Sequence, residues 1–404
     1  MTKMTSGNGP GIGEYNPFAE DVLTDPAGAY RHLREQCPVH YFDAFGDKGF
    51  YTVSRNDDVR KLFTDVDLWS SDWGQGPIYT KEGGLRSDPP EHTVYRRLVT
   101  SAFTARRVAA VESQAREVTR KLIEDFRSLG QADLIEGLAI PLPIIMISHF
   151  LGIPHERRAE FKSWSDEFMA AQNTSDPAVQ AAARAKIDDY FDAELNRRRA
   201  LREAGDQPPD DILTSLLSAE HEGAGFTNEQ LLPLILLVLV GGNETTTSLI
   251  GNLVWRLLDL GLWDAVSADP GLRDVAIDES LRFDPPVLGL FRTNKQPVCL
   301  HGTDLAPDSK VHGLYASANR DPQGWQDPDS FRLDRNLDEL KRQHFSFGLG
   351  QYLCPGAALA RLEGRIALDA MIELLPGLRL VDPPDRTDSF MMWGPKALMV
   401  AWDD

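Results

Sequence analysis

The chain of 404 residues carries 61 acidic against 42 basic side chains, a formal net charge of −19 that repels nucleic-acid phosphates. Hydrophobic residues make up 42% and charged residues 25%, which excludes extensive disorder and provides a core large enough to enclose a cofactor. Three cysteines, Cys37, Cys299 and Cys354, are odd in number and far apart, which excludes a disulfide framework and a paired zinc motif and points to a reducing cytoplasm.

Residues 1–14 are Gly-rich and contain no apolar stretch, so they read as a flexible tail without a signal peptide or anchor. A single domain is expected over 15–404, because no internal repeat and no long linker divides it. A helix is predicted over 26–35, strands over Val39–Phe42 and 49–53, and a second helix over Asn56–Thr64. From Glu91 the pattern is mostly helical. Val111, Ala115, Val118 and Leu122 recur at spacings that place them on one helical face. Further helices are predicted over 139–151, 154–172, 177–204 and 228–260, with the GDQPPDD segment at 205–211 as a loop. The most apolar run, 231–240, contains Pro233; it is too short to span a bilayer and reads as a buried helix. After Pro285, short apolar pieces alternate with Gly, Pro and Asp to about residue 345. One more helix follows Pro355, then short strands. The class is mainly α with small β-sheets.

The strongest local signal is FGLGQYLCPG at 347–356. Pro355 suits the first turn of a helix, which sets Cys354 just before it. Unpaired N–H groups and the positive end of a helix dipole favour a thiolate there. Gly350 and Gly356 permit close approach of backbone to sulfur and to a flat group. The second signal is GGNETTT at 241–247, inside the apolar run. Glycine is unfavourable in a helix interior by roughly 1 kcal/mol, and a carboxylate in an apolar helix is costly. Both need a reason. Gly241 lets a flat group approach, and a Thr hydroxyl can bond a carbonyl one turn back or a ligand.

FGLGQYLCPG resembles the haem-ligand loop of the cytochrome P450 family, and the resemblance extends over about 15–402. It implies a single-domain P450 fold, with haem b between an oxygen-side helix and the cysteine-loop helix and with Cys354 on the iron. Phe347, Gly350 and Gly356 match the rest of that loop. GGNETTT is similar to the family's acid-Thr motif, so Thr245 is expected to hydrogen-bond dioxygen and Glu244 to relay protons. His92 and Arg96, one turn apart after Asp88-Pro89-Pro90, match propionate ligands, as does Arg292; Arg suits carboxylates through paired hydrogen bonds. Tyr352 departs from the family, which commonly has His or Arg at this position. A phenol donates a hydrogen bond but carries no positive charge, so propionate anchoring there is weaker or comes from elsewhere. Glu279 and Arg282, three apart, match the family's Glu-x-x-Arg, with Arg335 as the third member; this trio is expected to hold the cysteine loop.

For the substrate pocket, the expected residues are Leu237, Val240, Leu288, Leu290, Trp73, Ile78, Tyr79, Met391 and Met392, an apolar set for a small organic substrate. By the same resemblance the chain is expected to be a monooxygenase for hydroxylation or O/N-dealkylation, using O2; a monomer is the default expectation. It contains no flavin or iron-sulfur motif, so electrons are expected from a ferredoxin and its reductase, with NAD(P)H as ultimate donor. The expected docking residues are Arg106, Arg107, Lys341, Arg342 and Arg361. No nucleic acid or membrane partner is expected. Rival readings are a peroxide-driven peroxygenase, a non-catalytic haem-binding protein, and a Cys-His hydrolase built on Cys354 and His344.

Overall fold

Asp25 accepts the Ala27 N–H and Pro26 fills the first turn, so the first long helix begins where these residues dictate. The computed structural model describes residues 15–45, 48–81, 83–171, 177–209, 211–221 and 224–403; the tail expected at 1–14 lies outside them. Helix α1 (Pro26–Gln36) leads to the hairpin β1 (Val39–Phe42) and β2 (Phe50–Val53), then α2 (Asn56–Thr64) and the short β3 (Trp69–Ser70). The helical body follows as α3 (Glu91–Ala102), α4 (Glu112–Arg127), β4 (Gln131–Asp133), α5 (Pro141–Phe150), α6 (Arg158–Ala171) and α7 (Pro177–Glu203). Val111 caps α4 rather than joining it, while Ala115 is buried and Val118 and Leu122 pack on the core.

The helix expected over 228–260 is two helices, α8 (Asn228–Gly241) and α9 (Glu244–Asp259). A capping box of Thr227 and Gln230 starts α8. The interruption has a local cause. The Thr245 hydroxyl donates to the Gly241 carbonyl at 2.7 Å, competing with the helical ladder. At Gly242 a Cβ would lie 3.2 Å from the Val238 carbonyl, tighter than usual, and 3.4 Å from Ile147 of α5, in ordinary contact. The combined stretch Asn228–Asp259 is 32 residues and holds an 18-residue window of mean hydropathy 1.4, long and apolar enough by those measures alone to cross a membrane, although the run 231–240 by itself is too short. In the fold its side chains are core: Leu231, Leu234, Ile235, Leu249, Leu253 and Val254 are all buried.

Helix α10 (Arg273–Phe283), β5 (Gly289–Asn294) and β6 (Lys310–Leu314) come next, then α11 (Ala357–Leu374), β7 (Arg379–Leu380) and β8 (Met399–Ala401). One sheet has the order β1-β2-β6-β5-β3, with β6 parallel to β2 and the other pairs antiparallel. A second sheet, β7-β8-β4, ties the end of the chain to the segment after α4. Helices α9, α10 and α11 pack on one another, and α11 also packs on α4. This bundle sets α9 and the helix after Cys354, α11, against each other.

Candidate active site

The cysteine loop is shaped by its own backbone. Gly348 and Gly350 have φ of +71° and +59°, a region that favours glycine, and the Cys354 N–H turns back to the Phe347 carbonyl at 2.7 Å. Gly356 leaves the Cys354 sulfur room on this side: an added Cβ would meet it only at ordinary contact distance, 3.8 Å. Burial pushes the Cys354 thiol up, opposed by the Gly356 N–H, the Arg96 charge, the Ala357 N–H and the Arg361 charge. The N–H groups at the start of α11 therefore do point at sulfur, but they do not outweigh burial. A cation on the sulfur would supply the missing stabilisation.

The loop is bolted to α10. Glu279 and Arg282 are both fully buried and paired at 2.7 Å through both guanidinium edges. Glu279 also accepts the Arg335 side chain at 3.1 Å and the Arg332 N–H at 2.8 Å. Arg282 then donates to the carbonyls of Asn319, Pro328 and Ser330. Asn319 continues the chain of bonds: its Oδ1 accepts the Phe345 N–H at 2.8 Å and its Nδ2 donates to Ser346 Oγ at 3.2 Å. Phe345 and Ser346 lead directly into Phe347 and the cysteine turn.

Three nitrogen-bearing side chains gather beside Cys354. His92 and Arg96 lie one turn apart on α3, and Arg292 comes from β5. Arg96 donates to the Leu353 carbonyl. Arg292 is buried, lies 4.7 Å from the rings of Phe63 and Tyr352, and donates to the Phe291 carbonyl at 2.8 Å. Burial followed by the Arg96 and Arg292 charges pushes His92 down to about 4, so the ring is neutral at pH 7, and its Nδ1 has no hydrogen-bond partner among the described residues. No carboxylate forms a salt bridge with Arg292 among the described residues, although a buried cation calls for one. An orphaned imidazole nitrogen and unneutralised guanidinium groups fit a group bearing carboxylates.

Tyr352 does something other than replace a cation. Its hydroxyl donates to the Ser87 carbonyl at 3.1 Å, and its ring lies 4.4 Å from His92. It thereby ties the cysteine loop to the residues that precede α3 and fills the gap between His92 and Arg292.

One cavity of about 1890 Å³ joins the two signals of the sequence. Ordinary ligand sites span roughly 300–1,000 Å³, so this one has room for a flat macrocycle and a second molecule. One wall has Cys354, Gly356 and Phe347; the other has Gly241, Glu244 and Thr245. His92, Arg96, Arg292 and Tyr352 line it too, as do Leu237, Val240, Ile78, Tyr79, Leu290, Met391 and Met392. Gly350 is exposed behind the loop and does not line it. Two pocket expectations are corrected. Leu288 bonds through its backbone to Met391 and Ala316 and packs in the cluster of Tyr15, Tyr30 and Trp393. Trp73 is 37% exposed on the outer side of its loop, under Lys81. Glu363, on α11, was not singled out by sequence; it is buried, faces the cavity and is pushed up to about 8 by that burial. Its only sequence signal is an acid among Leu359, Leu362, Gly364 and Ile366. His344 is buried against Asp278 at 3.1 Å and does not line the cavity, so it offers Cys354 no base.

A cysteine at a helix start, facing a broken helix across a cavity fringed by unneutralised cations, defines a haem-thiolate site. The comparisons agree. Residues 272–400 match the model of the family described as Cytochrome P450. Cytochrome P450 107B1 of Saccharopolyspora erythraea is 33% identical, covering 95% of each chain. Cytochrome P450 monooxygenase PikC of Streptomyces venezuelae is 34% identical over 97% of this chain and 95% of its own. The solved structure of cytochrome P450 CYP109Q5 from Chondromyces apiculatus aligns with a TM-score of 0.86 at 31% identity, covering 97% and 98% of the two chains. The chain belongs to the cytochrome P450 family. It is an oxidoreductase of the monooxygenase type, and haem b is its cofactor.

Proposed function

We propose that Cys354 binds the haem iron and that this cavity oxidises a small apolar organic molecule by hydroxylation or O/N-dealkylation, with electrons from a ferredoxin and its reductase. The observation that carries it is the single cavity with the Cys354 loop on one wall and Gly241 to Thr245 on the other. When bound, the haem supplies oxygen activation, which the thiolate ligand favours. The protein's residues do the rest. His92, Arg96 and Arg292 take the propionates, while Phe347 and Gly356 give the macrocycle its floor. Glu279, Arg282 and Arg335 hold the cysteine loop. The Thr245 hydroxyl donates a hydrogen bond to the Gly241 carbonyl at 2.7 Å; rotated, it would donate that hydrogen bond to a ligand instead. Glu244, next to it and facing the same cavity, relays protons. Leu237, Val240, Leu290, Ile78, Tyr79, Met391 and Met392 exclude water and hold the apolar skeleton.

The chain works as one domain over 15–404, as a cytoplasmic monomer. Of the basic residues expected to meet a ferredoxin, Arg107 is bound to Ser215 and Arg361 to Asp278 at 2.6 Å, whereas Arg106, Lys341 and Arg342 are exposed. Docking is assigned to these last three. The test is spectroscopic. The reduced protein under carbon monoxide shows the red-shifted Soret band of a thiolate complex, and Cys354→Ala loses it. A parent protein without that band refutes the assignment.

A further inference from the structure

On one side the cavity is walled by the loop 73–80. Gly74, Gln75, Ile78 and Tyr79 line the cavity, yet Ile78 is still 38% exposed, so the wall is one layer thick there. The loop closes on itself where the Thr80 N–H donates to the Trp73 carbonyl at 3.2 Å. The bonds that tie it to the fold around β5 and β6 include the Phe291 N–H to the Gln75 carbonyl at 3.0 Å and the Tyr79 hydroxyl to the Asp308 carbonyl at 2.7 Å. Two more come from a single atom, the Nζ of Lys310, which donates to the Trp73 carbonyl at 2.5 Å and to the Gly74 carbonyl at 3.0 Å.

Lys310 opens β6 and is only 1% exposed. Its ammonium meets carbonyls and the face of the Tyr79 ring, 5.2 Å away, and it forms no salt bridge with a carboxylate among the described residues. Burial followed by the Arg292 charge pushes it down to about 7. β6 pairs with β5, which carries Leu290 and Arg292 to the cavity, so Lys310 joins the loop to the opposite part of the same wall. Charge-assisted bonds to two carbonyls are strong, but the ammonium loses its hydration to make them. Lifting the loop restores that hydration. Gain and cost offset each other, which makes the closed position reversible. Gly74, with φ of +82°, and Gly76, with open space where a Cβ would stand, give the loop places to bend.

We propose that Lys310 is a positioning residue whose ammonium latches the 73–80 loop over the cavity, and that release of this latch lets bulky molecules in and out. This rests on the haem-thiolate reading of the cavity. Ile78 and Tyr79 take and leave their places on the wall with the loop, so the latch sets how fast a large apolar substrate exchanges, while a small molecule passes without it.

The ferric holoprotein is loaded with imidazole or with clotrimazole, a bulky imidazole, and each ligand is displaced by excess cyanide while the Soret band is followed by stopped flow. Lys310→Met keeps the apolar stem and removes the donor. Clotrimazole should then leave about tenfold faster, as the loss of a charge-assisted hydrogen bond to the loop provides, with imidazole unchanged. Lys310→Gln, neutral but still a donor, should fall between. A role in stability alone would shift the urea midpoint and leave the ratio of the two rates where it is in the parent. The proposal is overturned if that ratio is the same in the parent and in the variants, or if imidazole accelerates as much as clotrimazole; where one variant loses its haem, the other decides. The red-shifted carbon monoxide band, measured in every sample, separates the two levels: its retention with an unchanged ratio sinks the latch alone, and its absence from the parent sinks the haem-thiolate reading.

Discussion

Replacing Glu279 by Ala strips from Arg282, a guanidinium with no exposure to solvent, the only carboxylate that pairs with it among the described residues. Glu279 accepts four hydrogen bonds, two from Arg282 and one each from Arg335 and the Arg332 N–H. Removing one partner of a buried pair costs about 3–5 kcal/mol, since the other charge stays buried and uncompensated. Domains are stable by about 5–15 kcal/mol, so this is a large share of the total. The damage has a direction. Arg282 holds Asn319, and Asn319 holds the Phe345 N–H and Ser346 at the root of the cysteine loop. We therefore expect Glu279→Ala to lose both stability in urea and the thiolate-type carbon monoxide band, the band failing at lower denaturant than the helical signal. Arg335→Ala, which removes the 3.1 Å contact to Glu279 and the bonds to the Gln326, Asp327 and Ser330 carbonyls but leaves Arg282 paired, should cost less, about 1–3 kcal/mol. A loss below about 1 kcal/mol in Glu279→Ala, with the band intact, would refute the chain of bonds from α10 to Cys354.

Glu363 gives a pH signature. Its folded value of about 8 lies above the unfolded carboxylate value of about 4, so the unfolded state releases its proton first as pH rises. The penalty is absent at low pH, grows through that window and is complete above about 8, reaching the order of 5 kcal/mol. Glu363→Gln should therefore gain stability over the parent at pH 8.5 and little at pH 4.5; parallel urea curves at both would contradict this. Tyr352→Phe loses the hydroxyl bond to Ser87 but keeps the ring beside His92, so haem transfer to apomyoglobin should quicken by about fivefold, and Tyr352→Ala should be faster still. Equal rates in all three proteins would remove Tyr352 from the clamp. Thr245→Ala should lower product formed per NAD(P)H oxidised while Thr245→Ser retains it; unchanged coupling in the Ala variant would leave the hydroxyl without a role. Reversing Arg106 and Lys341 together should slow reduction by a ferredoxin most at low salt, and a rate insensitive to both changes would place docking elsewhere.

Residues whose roles follow from immediate neighbours were legible in the sequence. Cys354 stood between glycines and Pro355, and GGNETTT put polar residues where a core helix has none. Spacing alone placed Glu279 and Arg282 on one face, and the later Arg335 met them as expected. Pocket residues were less legible because chain position does not fix where a side chain points. Leu288 and Leu290 are two apart, yet Leu288 lies before β5 begins and turns into the Tyr15 cluster, while Leu290 reaches the cavity. Trp73 shares a loop with Ile78 and Tyr79 but sits on its outer side. The break between α8 and α9 comes with the Thr245 hydroxyl bonding the Gly241 carbonyl, a choice between two local partners that the periodicity of an apolar run does not reveal.

The least legible property is what holds the loop over the cavity. Lys310 lies far along the chain from Trp73 and Gly74, and a lysine at the start of a strand reads alone as a solvated surface residue. Only folding sets its ammonium on their carbonyls. The same logic explains Tyr352. Read by position, it is a lost cation; placed between His92 and Arg292 and bonded to Ser87, it leaves the positive charge at that end of the cavity to Arg96 and Arg292 and spends its own bond on the loop. A cation there would have added a third positive charge beside Arg292, which already lacks a salt-bridged carboxylate among the described residues. The substitution is therefore compatible with propionate binding by its neighbours, and the tyrosine stiffens the frame that holds them.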